Sequence, residues 1–181
     1  MVRRLKYHEK KLLKKVNFMK WDCDNPNEAK VIRKYYLTGR EEYSNYIKIV
    51  AAVRAVVKKI LNLDPADPNR HEFQDVLTTK LYDSGLIINR KLSECEHLSV
   101  SSICRRRLPV MLLKLKMAPR VQDATRMVEH GHIRIGPNVI TDPAYLVTRS
   151  MEDFITWTDT SKIKRHVLEY TEQLDDFEIE N

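Results

Sequence analysis

The sequence predicts an α+β fold, with a mainly helical N-terminal region, a pair of short helices leading into a small antiparallel sheet, and a C-terminal helix. Three observations carry this prediction. Apolar residues recur at helical spacing through the first 90 positions. The hydrophobic period then switches to two at His132-Ile133-Arg134-Ile135, and it returns to the helical value at Ile163, Val167, Tyr170 and Leu174.

Each element has its own signals. Leu5, Leu12, Leu13 and Val16 lie at helical spacing in a lysine-rich stretch, the pattern of a basic amphipathic helix. Asn25 is a candidate cap for a second helix with Pro26 in its first turn, and Gly39 is a candidate stop after Leu37. Tyr43, Tyr46, Ile47, Val50, Val53, Val57, Ile60 and Leu61 form one stripe, ended by Leu63-Asp64-Pro65-Ala66-Asp67-Pro68. Another helix is expected from about His71 through Phe73, Val76, Leu77 and Leu81 to a glycine stop at Gly85.

Ser101 or Ser102 can cap a helix carrying Leu108, Leu112 and Leu115. Pro109 means that this helix either kinks or begins its regular part close to the proline. After Met117-Ala118-Pro119 comes a helix with Val121, Ala124 and Val128 inward, Asp123 at its positive end and Gly131 at its exit. Gly136-Pro137-Asn138 reads as a turn, with Val139-Ile140-Thr141 as the return strand. Tyr145-Leu146-Val147 and Phe154-Ile155-Thr156-Trp157 are further strand candidates. The expected division is residues 1–100 helical, 101–160 a helix–helix–sheet module, and 161–181 a C-terminal helix with an acidic tail.

Composition narrows the class. The 181 residues are 43% hydrophobic and 31% charged, with a net charge of +7, as in a folded protein with an anionic partner. The charge is uneven. Residues 1–20 hold eight Lys/Arg and one acid, residues 99–149 hold nine Lys/Arg and three acids, and residues 169–181 hold six acids and no Lys/Arg. Two basic blocks therefore flank a neutral helical region. No stretch is apolar for the roughly 20 residues of a membrane span, and the N-terminus does not resemble a secretory signal. Cys23, Cys95 and Cys104 are odd in number and scattered, which fits reduced thiols inside a cell.

The candidate site runs from Arg105 to Arg134. Arg105, Arg106 and Arg107, read as consecutive residues of one helix, fan over about three-quarters of a turn and cannot all be buried. Lys114 and Lys116 follow on that helix, with Arg120, Arg126 and His130 on the next. Strand alternation sends His132 and Arg134 to the face opposite Ile133 and Ile135. Guanidinium groups grip phosphate and stack on bases, so this pattern points to RNA binding. Alanine at Arg105, Arg106 and Arg107 is then expected to weaken RNA binding with little loss of stability. Neither His130 with His132 nor the cysteines have the neighbours of a metal site. No catalytic arrangement or cofactor-binding loop stands out. A structural protein of the mature ribosome and a winged helix-turn-helix DNA-binding protein remain alternatives, and an RNA-modifying enzyme is disfavoured by the helical first 90 residues.

Several strings carry a resemblance. Arg106-Arg107-Leu108, Met117-Ala118, Ala124, the run Glu129-His130-Gly131-His132-Ile133-Arg134-Ile135 and Asp142-Pro143-Ala144-Tyr145 resemble the RNA-binding module named after ribosomal protein S-four. Asp67-Pro68-Asn69-Arg70 with Leu81, Gly85 and Leu86 is similar to the helical region preceding that module in the eukaryotic ribosomal protein. The opening Met1-Val2-Arg3-Arg4-Leu5-Lys6, Cys104-Arg105-Arg106-Arg107-Leu108-Pro109, Gly131-His132-Ile133-Arg134-Ile135-Gly136-Pro137, Asp142-Pro143-Ala144-Tyr145-Leu146-Val147-Thr148-Arg149, Met151-Glu152-Asp153 and the closing Asp175-Asp176-Phe177 extend the likeness over nearly the whole chain. With these, the chain is similar to the Imp-three-type subunits of the U3 small nucleolar ribonucleoprotein. That resemblance implies a nucleolar, non-enzymatic factor that binds U3 snoRNA and promotes its pairing with small-subunit pre-rRNA. It implies as a partner the M-phase phosphoprotein scaffold of the small-subunit processome, with no cofactor, membrane or small-molecule substrate. The tyrosines of the 41–61 helix are candidates for the protein contact. Arg120 stands where many S-four-type modules carry a capping Ser or Thr, Thr125 where they often carry Arg, and Gly136-Pro137 where Asn-Gly is common.

Overall fold

The apolar stripe of residues 43–61 forms a single long helix in the computed structural model, which describes residues 3–15, 26–65 and 67–171. Before it come α1 (Tyr7–Lys15) and α2 (Pro26–Tyr35). Leu5 and Leu12 of the basic amphipathic helix are exposed. Val16 and the proposed cap Asn25 fall outside the described residues. The second helix does not run to Gly39. Tyr36 adopts a left-handed φ of 49°, Leu37 N–H returns to Ile32 O at 3.1 Å, and the turn delivers Leu37 into the core. Gly39 instead occupies the extended cap position of α3 (Arg40–Leu61).

Along α3, Tyr46, Val50, Val57 and Ile60 are buried while Ile47 and Leu61 are exposed. Tyr46 is buried and Tyr43 packs partly covered beside it, so these tyrosines do not offer the open docking surface expected of them. The next helix, α4 (Pro68–Asp83), starts three residues earlier than expected. The Asp67 carboxylate accepts from Asn69 N–H at 3.0 Å, and Pro68 supplies a preset φ without losing a needed donor. It stops at Gly85 as expected. There φ is +72°, Gly85 N–H reaches Tyr82 O and Leu86 N–H reaches Leu81 O. Two five-residue helices, α5 (Leu92–Glu96) and α6 (Val100–Cys104), are too short to leave a periodicity in the sequence. They deliver Cys95, Leu98, Ile103 and Cys104 onto α3, completing the core of the helical region.

Pro109 resolves the helix that contains it. The chain breaks between α6 and α7 (Leu108–Lys114), placing the proline in the first turn of α7, where its missing N–H costs nothing. α7 closes on Lys116, a lysine at φ 60°, with Met117 N–H bonded to Leu112 O and Lys116 N–H to Leu113 O. α8 (Val121–Glu129) closes in the same double-bonded way on Gly131. β1 (Ile133–Ile135), β2 (Asn138–Val139) and β3 (Ile155–Trp157) form an antiparallel sheet in the order β2-β1-β3. Gly136 has φ +57° and Pro137 is confined to negative φ, the sign pattern of a type II′ hairpin turn.

The return strand is shorter than expected. Tyr145-Leu146-Val147 is not a strand of the sheet but pairs with the arginine segment: Leu108 N–H bonds to Tyr145 O and Val147 N–H to Arg106 O. Leu108, Met111, Leu112, Ala124, Val128, Ile133, Val147 and Ile155 close the core of this module. Finally, α9 (Lys162–Tyr170) is capped by the Ser161 hydroxyl, which accepts from Ile163 N–H. Its Val167 and Tyr170 are exposed, so this stripe is not covered by the described residues; Leu174 lies outside them.

Candidate RNA-binding face

The arginine triplet is not one helical surface. Arg105 caps the end of α6, Arg106 lies in the turn, and Arg107 is the extended residue before α7. These three backbone states aim the side chains in different directions. Arg105 is exposed, whereas Arg106 and Arg107 keep only 7% and 1% of their surface.

Arg106 donates twice to Val147 O, at 2.9 Å from Nε and 2.6 Å from Nη2, and its remaining nitrogen pairs with the Glu152 carboxylate. The guanidinium lies on Gly85: a Cβ there would stand 2.5 Å from Arg106 Cζ. Gly85 is thus required both by its left-handed φ and by the plane stacked on it. Arg107 donates to Glu42 of α3 at 2.6 Å and to Pro143 O at 3.3 Å. Burial raises the pKa of the Glu42 carboxyl. The bonds from Thr38 and Arg107, with the Arg107 charge, outweigh this and leave it below its usual value. Glu152 is lowered in the same way, against its burial, by its bond to Arg106 and by the charges of Arg106, Lys114 and Arg149.

A third arginine joins them. Arg149 donates to Tyr82 O and Ile87 O, both at 2.7 Å, and sits 4.0 Å from the Tyr82 ring centroid. Arg107 and Arg149 therefore fasten the helical region to the sheet module by hydrogen bonds, and Arg106, bonded within the module, packs on Gly85 of the helical region. The expectation of little stability loss on removing the whole triplet is corrected: two of its members are buried and hydrogen-bonded to internal acceptors, so their removal is expected to destabilise the fold. The structural use of Arg149 was invisible in the sequence, since a carbonyl-bound arginine carries no distinguishing neighbour.

The remaining candidates fall into three groups. Arg105 and Lys114 line a basin of about 780 Å³ between the two parts of the chain, beside His97 and Ser102. Lys114 stays largely in solvent, 3.7 Å from Glu152. Lys116, Arg120, Arg126 and His130 are all exposed on the α7–α8 connection and on the outer side of α8, with Arg126 and His130 one turn apart. Arg105, Lys116, Arg120 and Arg126 make no ion pair among the described residues. The third group is half-buried on β1. Arg134 donates to Thr156 Oγ1 at 3.1 Å and to Asp159 at 2.6 Å, and His132 Nδ1 lies 3.0 Å from the buried Ser161 hydroxyl. Lys164 shares Asp159 at 2.8 Å; that bond, with the Arg134 charge, lowers the Asp159 pKa.

Two departures from the S-four-type pattern are accommodated locally. Arg120 occupies the cap of α8 with no side-chain capping bond, which leaves its guanidinium outward. Thr125 is buried and donates to Val121 O at 2.9 Å, so it offers nothing to a ligand. Among the described residues no His, Cys, Asp and Glu cluster could hold a metal ion, and no helix is long and apolar enough to cross a membrane. Cys95 and Cys104 are buried free thiols, and burial pushes Cys104 up to about 11.

Comparison with known proteins agrees with this two-part build. Residues 4–105 match the family described as ribosomal protein S4/S9 N-terminal domain, and residues 106–153 match the S4 domain. The U3 small nucleolar ribonucleoprotein protein IMP3 of Mus musculus is 52% identical, covering 99% of this chain and all of the mouse protein. The IMP3 protein of Saccharomyces cerevisiae is 49% identical over 98% of this chain and 99% of its own length. Small ribosomal subunit protein uS4 of Sulfurisphaera tokodaii is more distant, at 33% over 77% of this chain and 78% of its own. With both parts of the ribosomal S4 plan present and near-complete coverage at about half identity, the chain belongs to the IMP3 family.

Proposed function

We propose that this chain is an RNA-binding, non-enzymatic component of the U3 small nucleolar ribonucleoprotein that acts in ribosome biogenesis in the nucleolus. It binds U3 snoRNA and promotes its pairing with small-subunit pre-rRNA for early processing, working with the M-phase phosphoprotein scaffold of the small-subunit processome. The observation that carries this reading is the set of solvent-facing cations, Arg105, Lys114, Lys116, Arg120, Arg126 and His130, held on a module that Arg107 and Arg149 fasten to the helical region. His132 and Arg134 are half-exposed beside Ser161 and Asp159, available for close contacts once RNA competes for their partners. Dense positive charge lowers the repulsion between two approaching strands, and contacts that favour unpaired or hybrid RNA shift a hairpin toward the duplex.

The test is an annealing assay with labelled U3 and pre-rRNA oligonucleotides at about 150 mM salt. The chain is expected to speed or stabilise hybrid formation, and Arg105→Ala with Arg126→Ala to weaken RNA binding and flatten its salt dependence. No acceleration and no stabilisation would refute the pairing role. The distant uS4 likeness keeps one second reading, a structural protein of the mature subunit; sedimentation with mature small subunits instead of large precursors would favour it.

A further inference from the structure

The connection between α3 and α4 folds these helices into a hairpin whose outer side is unusual. Val56 and Ile60 of α3, with Leu63 just past its end, face Phe73, Val76 and Leu77 of α4 across a groove of about 400 Å³. The lining residues keep i, i+3, i+4, i+7 spacing, 73, 76, 77 and 80 on α4 and 56, 59, 60 and 63 along α3 and its exit. Phe73, Val76 and Val56 are 54%, 48% and 43% exposed, although Leu81 and Thr78 of the same α4 are buried against the core. The apolar surface of α4 thus extends past the side buried in the core: Leu77 packs partly against it, while Phe73 and Val76 stay open.

Among the described residues, the charged ones lining the groove are Lys59 and Lys80, both positive. The acids Glu72, Asp75 and Asp83 of α4 do not line it. RNA finds little to read here, since phosphate recognition needs donors, and Phe73 is a single ring set among aliphatic side chains that offer no polar edge to a base. An apolar cleft between two helices, edged by lysine, is complementary to an amphipathic helix with acidic flanks.

We infer that the α3–α4 groove is a protein-docking site for an acidic amphipathic helical segment of a partner. The segment seats apolar side chains between Phe73, Val76 and Val56 and pairs its carboxylates with Lys59 and Lys80. The inference is independent of which RNA the chain meets and of which processome protein supplies the segment. It also separates two surfaces on one chain, a cationic face around α7–α8 for RNA and an apolar groove on the helical region for protein.

The test uses the full chain and a phage-displayed library of random peptides of about 16 residues, roughly four helical turns. Peptides are selected on the native protein and counter-selected on Phe73→Glu/Val76→Glu. Both positions are about half exposed, so the variant is expected to fold, and circular dichroism checks this. Enriched peptides should carry large apolar residues at helical spacing flanked by Asp or Glu, and should lose about tenfold in affinity or more on the variant. Lys59→Glu/Lys80→Glu should weaken them and restore binding to versions with the acids changed to lysine. Peptides without that pattern, no enrichment over the variant, or indifference to the charge swap would overturn the inference. So would displacement of the selected peptides by a synthetic peptide of residues 169–181 or by single-stranded RNA, because the groove would then belong to the chain's own tail or to RNA.

Discussion

Removing Arg107 tests the division of labour within the arginine triplet. Its side chain is 1% exposed and its guanidinium joins Glu42 of α3 to Pro143 O of the sheet module. Arg107→Ala deletes a buried cation, leaves Pro143 O short of a donor, and strips Glu42 of its counter-charge. Breaking a buried pair by removing one partner costs about 3–5 kcal/mol. The Glu42 side chain keeps 24% exposure and its bond from Thr38, so water and that hydroxyl recover part of the loss. The lower end, about 3 kcal/mol, is expected. For a chain of this size, that lowers the melting temperature by roughly 6–12 °C. Arg105→Ala removes an exposed cation without an internal partner and should stay within about 0.5 kcal/mol of the parent.

The assay is urea unfolding followed by circular dichroism, with RNA affinity measured on the same preparations. A double-mutant cycle with Glu42→Ala should return a coupling of about 1–3 kcal/mol. Equal stability of Arg105→Ala and Arg107→Ala would refute the reasoning. So would an Arg107→Ala variant of parental stability that had lost RNA binding, since Arg107 would then be a contact residue and not a fastener.

Three further outcomes are expected. Because Glu42 and Glu152 are held below their usual value of 4.5 in the folded chain, their contribution to stability is present above that pH. It is lost as pH falls from there through the folded values, and a urea series between pH 6 and pH 3 should flatten in Glu42→Gln/Glu152→Gln. Gly136→Ala should cost about 1–2 kcal/mol from its positive φ alone, since nothing lies within 4 Å of the new Cβ, whereas Gly85→Ala adds the collision with Arg106 and should cost more; thermal melts of the pair decide this. Lys116→Gly should raise stability by about 1 kcal/mol by relieving the left-handed lysine at the end of α7, while lowering RNA affinity at low salt through the lost charge.

Much of the fold was legible because it rests on local signals. The 43–61 stripe, the glycine exits at Gly85 and Gly131, and the change of period at His132 each encode an element without reference to distant residues. The start of α4 at Asp67-Pro68 has a local signal too, but the same run also ends α3, so one stretch of turn residues serves two boundaries. The two five-residue helices α5 and α6 were not legible, since a single turn shows no period.

The exposed cations of the candidate face could be read because strand alternation and helix phase are local properties: Arg126 and His130 face outward, and Arg134 opposes Ile133 and Ile135. What the sequence by itself determined was that these elements exist, where they stop, and that positive charge concentrates between residues 99 and 149. Which charges reach solvent was decided only by the tertiary structure. Arg105, Arg106 and Arg107 are the same residue three times over. Arg106 and Arg107 differ from Arg105 because Val147 O, Glu152, Glu42 and Pro143 O, 36 to 65 positions away in the chain, converge on them. A buried guanidinium is stable only where such partners meet it, and that meeting is a property of the folded chain, not of the local sequence.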